Sequence, residues 1–173
     1  EIGDTLWTRV YPDMHWAFDF TITDNSCYLI AGRSQDEDAQ LMKIDMFGDS
    51  LWTCTYGGNG LDAFRSIIKM DDDFYLLAGI TGDYFSGNSE GYFVKVDSIG
   101  NIIWERVYGA TGQDEISSIC KTDNGSSISC GYTTGFGGDT DTYIIKLDSN
   151  GDQVWEVING GSYDDVAADI VQN

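Results

Sequence analysis

Short apolar stretches that alternate with polar residues follow one another along the chain, and clusters of Gly, Asp and Asn separate them. In "IWERVY" at 103–108, for example, Trp, Arg and Tyr alternate with Ile, Glu and Val. A period of two residues is typical of a strand whose two faces meet different surroundings. No segment shows a convincing helical period. The pattern therefore predicts an all-β protein of short strands joined by tight turns.

One of these segments recurs along the chain. It reads "GDTLW", "GDSLW", "GNIIW" and "GDQVW", with the Trp at positions 7, 52, 104 and 155, so that successive copies are 45, 52 and 51 residues apart. An Ala-Gly or Cys-Gly pair and a Lys-x-Asp motif accompany the complete copies, as in "AGRS", "AGIT" and "CGYT" and in "KID", "KVD" and "KLD". A period of about 40 to 50 residues indicates stacked structural repeats.

Each repeat predicts four antiparallel strands, which is the blade of a β-propeller. We predict complete blades at 16–56, 63–108 and 115–158, a leading outer strand at 3–11 and a trailing inner strand at 166–173. Three blades and two spare strands are too few for a closed ring of about four to eight blades. We therefore expect a piece of a larger propeller or, alternatively, a chain of which two copies complete one ring. Both interpretations imply contacts with further blades of the same or another chain.

Two resemblances follow from the repeated motifs. The runs "KIDMFGDSLW", "KVDSIGNIIW" and "KLDSNGDQVW" resemble the tryptophan-docking repeat of quinoprotein (PQQ-like) propellers. The longer pattern, with "YGGNGLD", an acidic turn and "LLAGIT", more closely resembles the tandem propeller repeats of large secreted bacterial proteins of the Bacteroidetes type. The second resemblance implies an exported, extracellular or cell-surface protein and brings no established chemistry.

The first resemblance leaves an enzymatic alternative, in which the chain is part of a quinoprotein-like dehydrogenase. A quinone would then lie over a central Trp, with Ca²⁺ bound by a carboxylate. The sequence lacks the vicinal Cys-Cys pair often met in such sites. We therefore prefer a noncatalytic interpretation and predict no cofactor, with Ca²⁺ kept as an alternative.

The net charge of the chain makes some classes of binding partner unfavourable. The chain has 29 acidic and 9 basic residues and a net charge of -20, which repels nucleic acid and anionic lipid. No stretch of about 18 apolar residues that could span a membrane is present. We expect a protein or glycan partner, no nucleic acid and no membrane insertion.

The motifs that recur in every blade are interpreted as structural. Spacing places the Lys and Asp of each Lys-x-Asp on one strand face, where they can pair, and the Asp can also cap the D-x-x-G turn that follows. "DSNGD" at 148–152 has the oxygen-rich composition of a calcium loop, but the sibling turns have Phe47 or Ile99 at the middle position. "MDDD" at 70–73 is interpreted as a solvated acidic turn.

An acidic residue also recurs where the first strand of a blade begins. Asp62, Asp114 and Asp165 occupy this position, with Ala17 taken as its equivalent in the first blade. These residues could surround a cation near the central channel. Recurrence favours a structural hydrogen-bonding role.

The four cysteines do not predict a disulfide. A hairpin closed between Cys120 and Cys130 pairs Cys120 with a residue near 127 to 129, so the two thiols do not lie opposite each other. Cys130 stands where the other repeats have Ala31 and Ala78, which predicts a small buried residue.

Binding is expected where the blades differ. The loops after the second strand and between blades vary in length and share one edge of the disc, which we call the variable-loop rim. His15 and Trp16 break the repeat there by replacing a Gly-rich stretch, although a lone His beside a Trp is also compatible with simple packing. The aromatic residues in the glycine-rich loops could stack on a sugar ring or cover a neighbouring blade. The ligand-binding candidates on this rim are His15, Trp16, Tyr84, Phe85, Phe136, Asp139 and Asp141.

The sequence thus predicts a noncatalytic binding or scaffolding propeller module that engages a protein or glycan through this rim. No nucleophile of repeat-breaking character accompanies His15, so no catalytic residue is predicted. No metal ligand is predicted either. The alternatives are a quinoprotein-like dehydrogenase and a lectin-like or calcium-stabilised propeller.

Overall fold

A computed structural model describes residues 5, 7–71, 73–83, 87–109, 111–135 and 139–172. Within these ranges the secondary structure is almost entirely β. The strands, in chain order, are β1 (Met14–Ile22), β2 (Tyr28–Ser34), β3 (Ala39–Ile44), β4 (Ser50–Tyr56), β5 (Ala63–Lys69), β6 (Tyr75–Asp83), β7 (Asn88–Val96), β8 (Ile102–Tyr108), β9 (Asp114–Lys121), β10 (Ser127–Thr133), β11 (Asp141–Leu147) and β12 (Gln153–Asn159). None of the described residues belongs to a helix with the length and apolarity that a membrane span requires.

The strands form three four-stranded antiparallel sheets in which each strand pairs with its neighbours in sequence. The orders are β1-β2-β3-β4, β5-β6-β7-β8 and β9-β10-β11-β12. This arrangement confirms the predicted all-β propeller segment with three blades.

The second blade is covered on both faces. Because side chains alternate along a strand, Tyr75 and Leu77 of β6 face the first blade, while Leu76 and Ala78 face the third. The core therefore consists of two layers, one at each junction between blades. Each fully buried Leu in such a layer contributes about 1.5 to 3 kcal/mol relative to exposure.

The Gly of the Ala-Gly motif is required by a close approach inside each blade. A Cβ atom at Gly79 would lie 1.9 Å from the carbonyl oxygen of Ala63, next to a register shift between Phe64 and Ser66 in β5. Gly32 and Gly131 approach the first strands of their own blades in the same way. The motif thus accommodates a bulge in the innermost strand.

An aromatic pair on the last strand of a blade attaches it to the next blade. Tyr56 donates a hydrogen bond of 2.8 Å to the carbonyl oxygen of Gly100, and a Cβ at Gly100 would lie 3.4 Å from the Trp52 ring. Tyr108 donates in the same way to Gly151 at 2.7 Å. We call the Trp and the Tyr four residues later the docking pair.

The D-x-x-G turns are closed by their own Asp. At the third turn, the Oδ1 of Asp148 accepts hydrogen bonds from the backbone N–H groups of Asn150 at 2.8 Å and Asp152 at 3.0 Å. This confirms the capping role. The suggested Lys–Asp pairing is wrong for the described ion pairs, none of which joins the two residues of a Lys-x-Asp motif. Lys43 instead donates to the carbonyl oxygen of Ser98 in the next blade at 3.4 Å.

The acidic turns after the first strands also join blades. Lys121 Nζ lies 2.5 Å from Asp71 Oδ1 of the preceding blade, and Lys69 pairs with Asp24 in the equivalent way. The "MDDD" turn therefore contributes an ion pair between blades and is more than a solvated turn.

The two flanking segments lie where partial blades were predicted but are not strands in their described parts, 7–11 and 166–172. Neither has a partner strand among the described residues, so no ladder forms. Trp7 Nε1 donates to the carbonyl oxygen of Met46 at 3.1 Å and Tyr11 to that of Gly48 at 2.7 Å, which makes them the docking pair for the first blade. At the other end, Ser118 Oγ donates to Asp169 at 2.7 Å.

The cysteines are free. Cys120 pairs in register with Ile128, which confirms that it does not lie opposite Cys130. Cys130 is buried, as predicted, with 2% of its surface exposed.

Candidate functional site

The predicted rim residues do not form one cluster. His15 and Trp16 lie side by side on β1, with ring centroids 5.6 Å apart. Asp139 is exposed in the third blade, whereas Asp141 is buried on β11 with its Oδ1 against Gly160. Tyr84, Phe85 and Phe136 lie outside the described residues.

Register shows which residue of the first blade corresponds to the buried acids. Ala17 pairs with Gly32 as Phe64 pairs with Gly79, so Ala17 is not the equivalent of Asp62, as the sequence suggested. That place belongs to His15, two residues earlier. β1 also carries a second register shift, between Met14 and Trp16, that β5 does not have.

The exchange of Asp for His changes the start of the first blade. Asp62 is fully buried and its Oδ2 accepts a hydrogen bond of 2.9 Å from the backbone N–H of Gly58. His15 is exposed. The first blade therefore presents an imidazole to solvent where the second has a buried carboxylate.

A pocket of about 190 Å³ lies beside these residues, between the innermost strands of the first and second blades. We call it the inner-strand pocket. Its lining residues are Trp16, Phe18, Arg33, Leu61, Ala63 and Arg65.

Two exposed aromatic rings form one wall of the inner-strand pocket. Trp16 and Phe18 are two residues apart on β1, and their rings stack with centroids 6.3 Å apart at an interplanar angle of 9°. They are 51% and 39% exposed. A flat apolar surface next to polar groups is suited to packing against a partner side chain or a sugar ring.

The guanidinium of Arg65 borders this wall, but its charge is already compensated. It lies 4.2 Å from the centroid of Phe18. Its Nε is 2.8 Å from Glu115 Oε1, and its Nη2 donates to Oε2 at 3.4 Å. This pair of contacts between blades holds Arg65 in place.

Arg33 is different because it has no counter-ion in the described part of the chain. It stands opposite Trp16 in the β1–β2 register. Its Nε is buried without a hydrogen-bond partner, and no described carboxylate lies within ion-pair distance of it. The chain has a net charge of -20, yet no described carboxylate pairs with Arg33 in this pocket.

Two of the side chains that line the inner-strand pocket are not repeated at the next junction. Ile80, fully buried, takes the place of Arg33, and Ala63 the place of Trp16. The repeat scaffold does not need the exposed aromatic wall or the unpaired Arg. These are the features that set the first junction apart.

Sequence reasoning identified Trp16 but missed Phe18, Arg33 and Arg65. The signal was present in the repeats, since Arg33, Ile80 and Tyr132 follow the same Gly. Comparing side chains blade by blade within the strands, and not only in the loops, would have found these positions.

The structure offers no ready metal centre in the residues it describes, where no group of three or more His, Cys, Asp or Glu side chains is arranged to hold an ion. The carboxyl groups of Glu90 and Asp114 meet beside Gly109. Burial, with a smaller effect of Asp114, raises the pKa of Glu90. Two acids without a third ligand are a weak cation site.

The known proteins that resemble this chain share low sequence identity with it. No protein-family model matches the sequence. The regulatory protein FlaEY of Caulobacter vibrioides is 24% identical over an alignment that covers 69% of this chain and 15% of that protein. The chain thus spans about 15% of the length of this curated relative.

A solved structure that resembles the chain is the WD40 domain of Pan2 from Neurospora crassa. The superposition has a TM-score of 0.36 at 13% identity and covers 88% of this chain and 54% of that one. The propeller assignment rests on the three sheets and their docking pairs.

Proposed function

We propose that this chain is a noncatalytic binding module of an exported protein, in which propeller blades form a rigid scaffold and the variable-loop rim engages a partner protein. The inner-strand pocket is the centre of that surface. The proposed export rests on the resemblance to repeats of secreted bacterial proteins.

The observation that carries the proposal is the exposed stack of Trp16 and Phe18 next to Arg33, to which no described residue supplies a counter-ion. Aromatic residues and Arg are enriched among the residues that dominate protein interfaces. At other positions of the repeat, by contrast, the Trp of each docking pair contributes to the junction between blades.

A glycan is the second candidate, because a sugar ring can stack on the exposed face of Trp16. In that case the neutral ligand would use the aromatic wall and leave the charge of Arg33 without a role. A selection that presents both classes of ligand distinguishes the two.

The test is a parallel selection on immobilised protein with a displayed random-peptide library and a glycan array. We expect peptides that bind the native chain and lose at least tenfold in affinity with Trp16→Ala, since buried aromatic anchors contribute about 2 kcal/mol or more. Phe47→Ala is the matched control, because Phe47 is also exposed but lies in a D-x-x-G turn on the opposite rim. Ligands that respond to Phe47→Ala and not to Trp16→Ala would contradict the proposal.

Contacts with further blades are a second part of the proposal. Phe20 and Ile22 are exposed on the outward face of the first sheet. The residue of β5 that corresponds to Phe20 is Ile67, which is buried against the first blade. We propose that a blade of the same repeat type covers Phe20 and Ile22.

A further inference from the structure

We propose that the inner-strand pocket binds a carboxylate, supplied by an Asp or Glu side chain of the partner protein, and that Arg33 is the residue that recognises it. This inference rests on the proposed function and names the chemistry of the ligand. Trp16 and Phe18 then pack against the apolar neighbour of the bound acid.

The first argument is charge compensation. Arg65 has its carboxylate from Glu115 within the chain, whereas Arg33 has none among the described residues. A partner carboxylate that enters the pocket would supply the counter-ion that the described residues do not give Arg33. A guanidinium offers a planar set of donors that matches the two oxygens of a carboxylate.

The second argument comes from the next junction between blades, which shows the same scaffold holding an acid. Glu115 occupies in the third blade the position that Trp16 occupies in the first, since each pairs in register with the residue after the strand Gly. From there its carboxylate reaches Arg65. At the first junction the corresponding residue of the following blade is Ala63, so this position supplies no carboxylate to the inner-strand pocket.

The third argument is size. The pocket volume of about 190 Å³ is well below the roughly 300 to 1,000 Å³ of sites for larger small molecules. It suits one side chain of a partner. A basic side chain would meet two guanidinium groups in the same pocket, although the net charge of the whole chain favours a basic partner at long range.

The test uses blocked tetrapeptides as probes in a titration followed by NMR of the Trp16 indole and Arg33 guanidinium N–H signals. The acidic probe is acetyl-Gly-Asp-Phe-Gly-amide, and its Asn and Lys analogues differ from it at one residue. Methyl β-glucoside represents a neutral sugar. We expect the Asp peptide to bind about tenfold more tightly than the Asn peptide and this preference to disappear in Arg33→Gln.

Arg106→Gln is the matched control, because Arg106 pairs with Asp152 away from the pocket. It should leave the preference for the Asp peptide unchanged. Melting temperatures of both variants check that the fold is retained.

The alternative outcomes separate this inference from the proposed function. Equal binding of the Asp and Asn peptides that is lost in Trp16→Ala would overturn the carboxylate and leave the binding surface intact. Tighter binding of the Lys peptide would also overturn it. Binding of the glucoside alone would overturn it in favour of a glycan. No signal change at Trp16 or Arg33 with any probe would overturn the pocket itself, while the library selection still decides whether the rim binds a protein.

Discussion

The hydroxyl of Tyr56 donates a hydrogen bond of 2.8 Å to the carbonyl oxygen of Gly100, which belongs to the next blade. Burial raises the pKa of this hydroxyl, so that it remains a protonated donor throughout the ordinary pH range. The same bond joins Tyr11 to Gly48 and Tyr108 to Gly151. The same polar contact thus fixes the first blade to the second and the second blade to the third.

Tyr56→Phe should lower the free energy of unfolding by about 1 kcal/mol, because the hydrogen bond is lost while the ring still packs. Urea unfolding measures the change. Tyr163→Phe is the control, since Tyr163 is 83% exposed. Equal stability of the two variants would contradict the role of the docking pair.

Gly151→Ala should destabilise the third blade by about 1 to 3 kcal/mol. Gly151 has a φ of +82°, and a Cβ there would lie 2.9 Å from the ring of Trp104. Gly58→Ala provides the comparison, because a Cβ at Gly58 has open space around it. Thermal unfolding should show a clear drop for the first variant and little change for the second; the opposite order would refute the packing described for the docking pair.

The blade could be predicted because its determinants are local and repeated. These determinants are the turn glycines, the Asp that caps each turn and the apolar alternation, and they lie within a few residues of one another. Because they recur, each repeat supports the interpretation of the others. The length of one hairpin likewise predicted that Cys120 pairs with a residue near 127 to 129, and its partner is Ile128.

The inner-strand pocket could not be predicted because its residues come from three separate segments that meet only when two sheets pack. Arg33 lies on β2 and Arg65 on β5, and neither has a motif around it. The residue equivalent to Asp62 is His15 and not Ala17, and only the strand register shows this. Register shifts depend on backbone packing and leave no clear mark in one sequence.

Glu90→Gln should make the free energy of unfolding less dependent on pH, at pH values above the pKa of an unperturbed carboxyl group. Because burial and Asp114 raise the folded-state pKa of Glu90 above its unfolded value, the native state holds this proton more tightly. That stabilisation is complete below the unfolded pKa and is lost as the pH rises through the folded pKa. The free energy of unfolding of the variant, relative to that of the native chain, should therefore rise as the pH increases above the unfolded carboxyl pKa of about 4.

Urea unfolding at several pH values measures this advantage. Asp139→Asn is the control, because Asp139 is exposed. Its free energy of unfolding should change with pH in the same way as that of the native chain. If the free energy of unfolding of Glu90→Gln also follows the pH dependence of the native chain, Glu90 does not titrate in this way.

Cys130 should resist alkylation in the native state. Burial, with smaller effects of Asp169 and Cys120, raises the pKa of its thiol to about 11, and only the thiolate reacts readily. Iodoacetamide at about pH 8 followed by mass spectrometry should therefore label Cys130 much more slowly in buffer than in urea. Equal rates in the two solvents would mean that the third blade opens freely.

The most direct test of the binding surface is hydroxyl-radical footprinting of the five tryptophans with and without the tightest peptide from the library selection. A ligand in the inner-strand pocket should reduce oxidation of Trp16 severalfold and leave Trp52, Trp104 and Trp155 unchanged. Unchanged oxidation of Trp16, or protection confined to Trp155 on the outer strand of the third blade, would contradict the account.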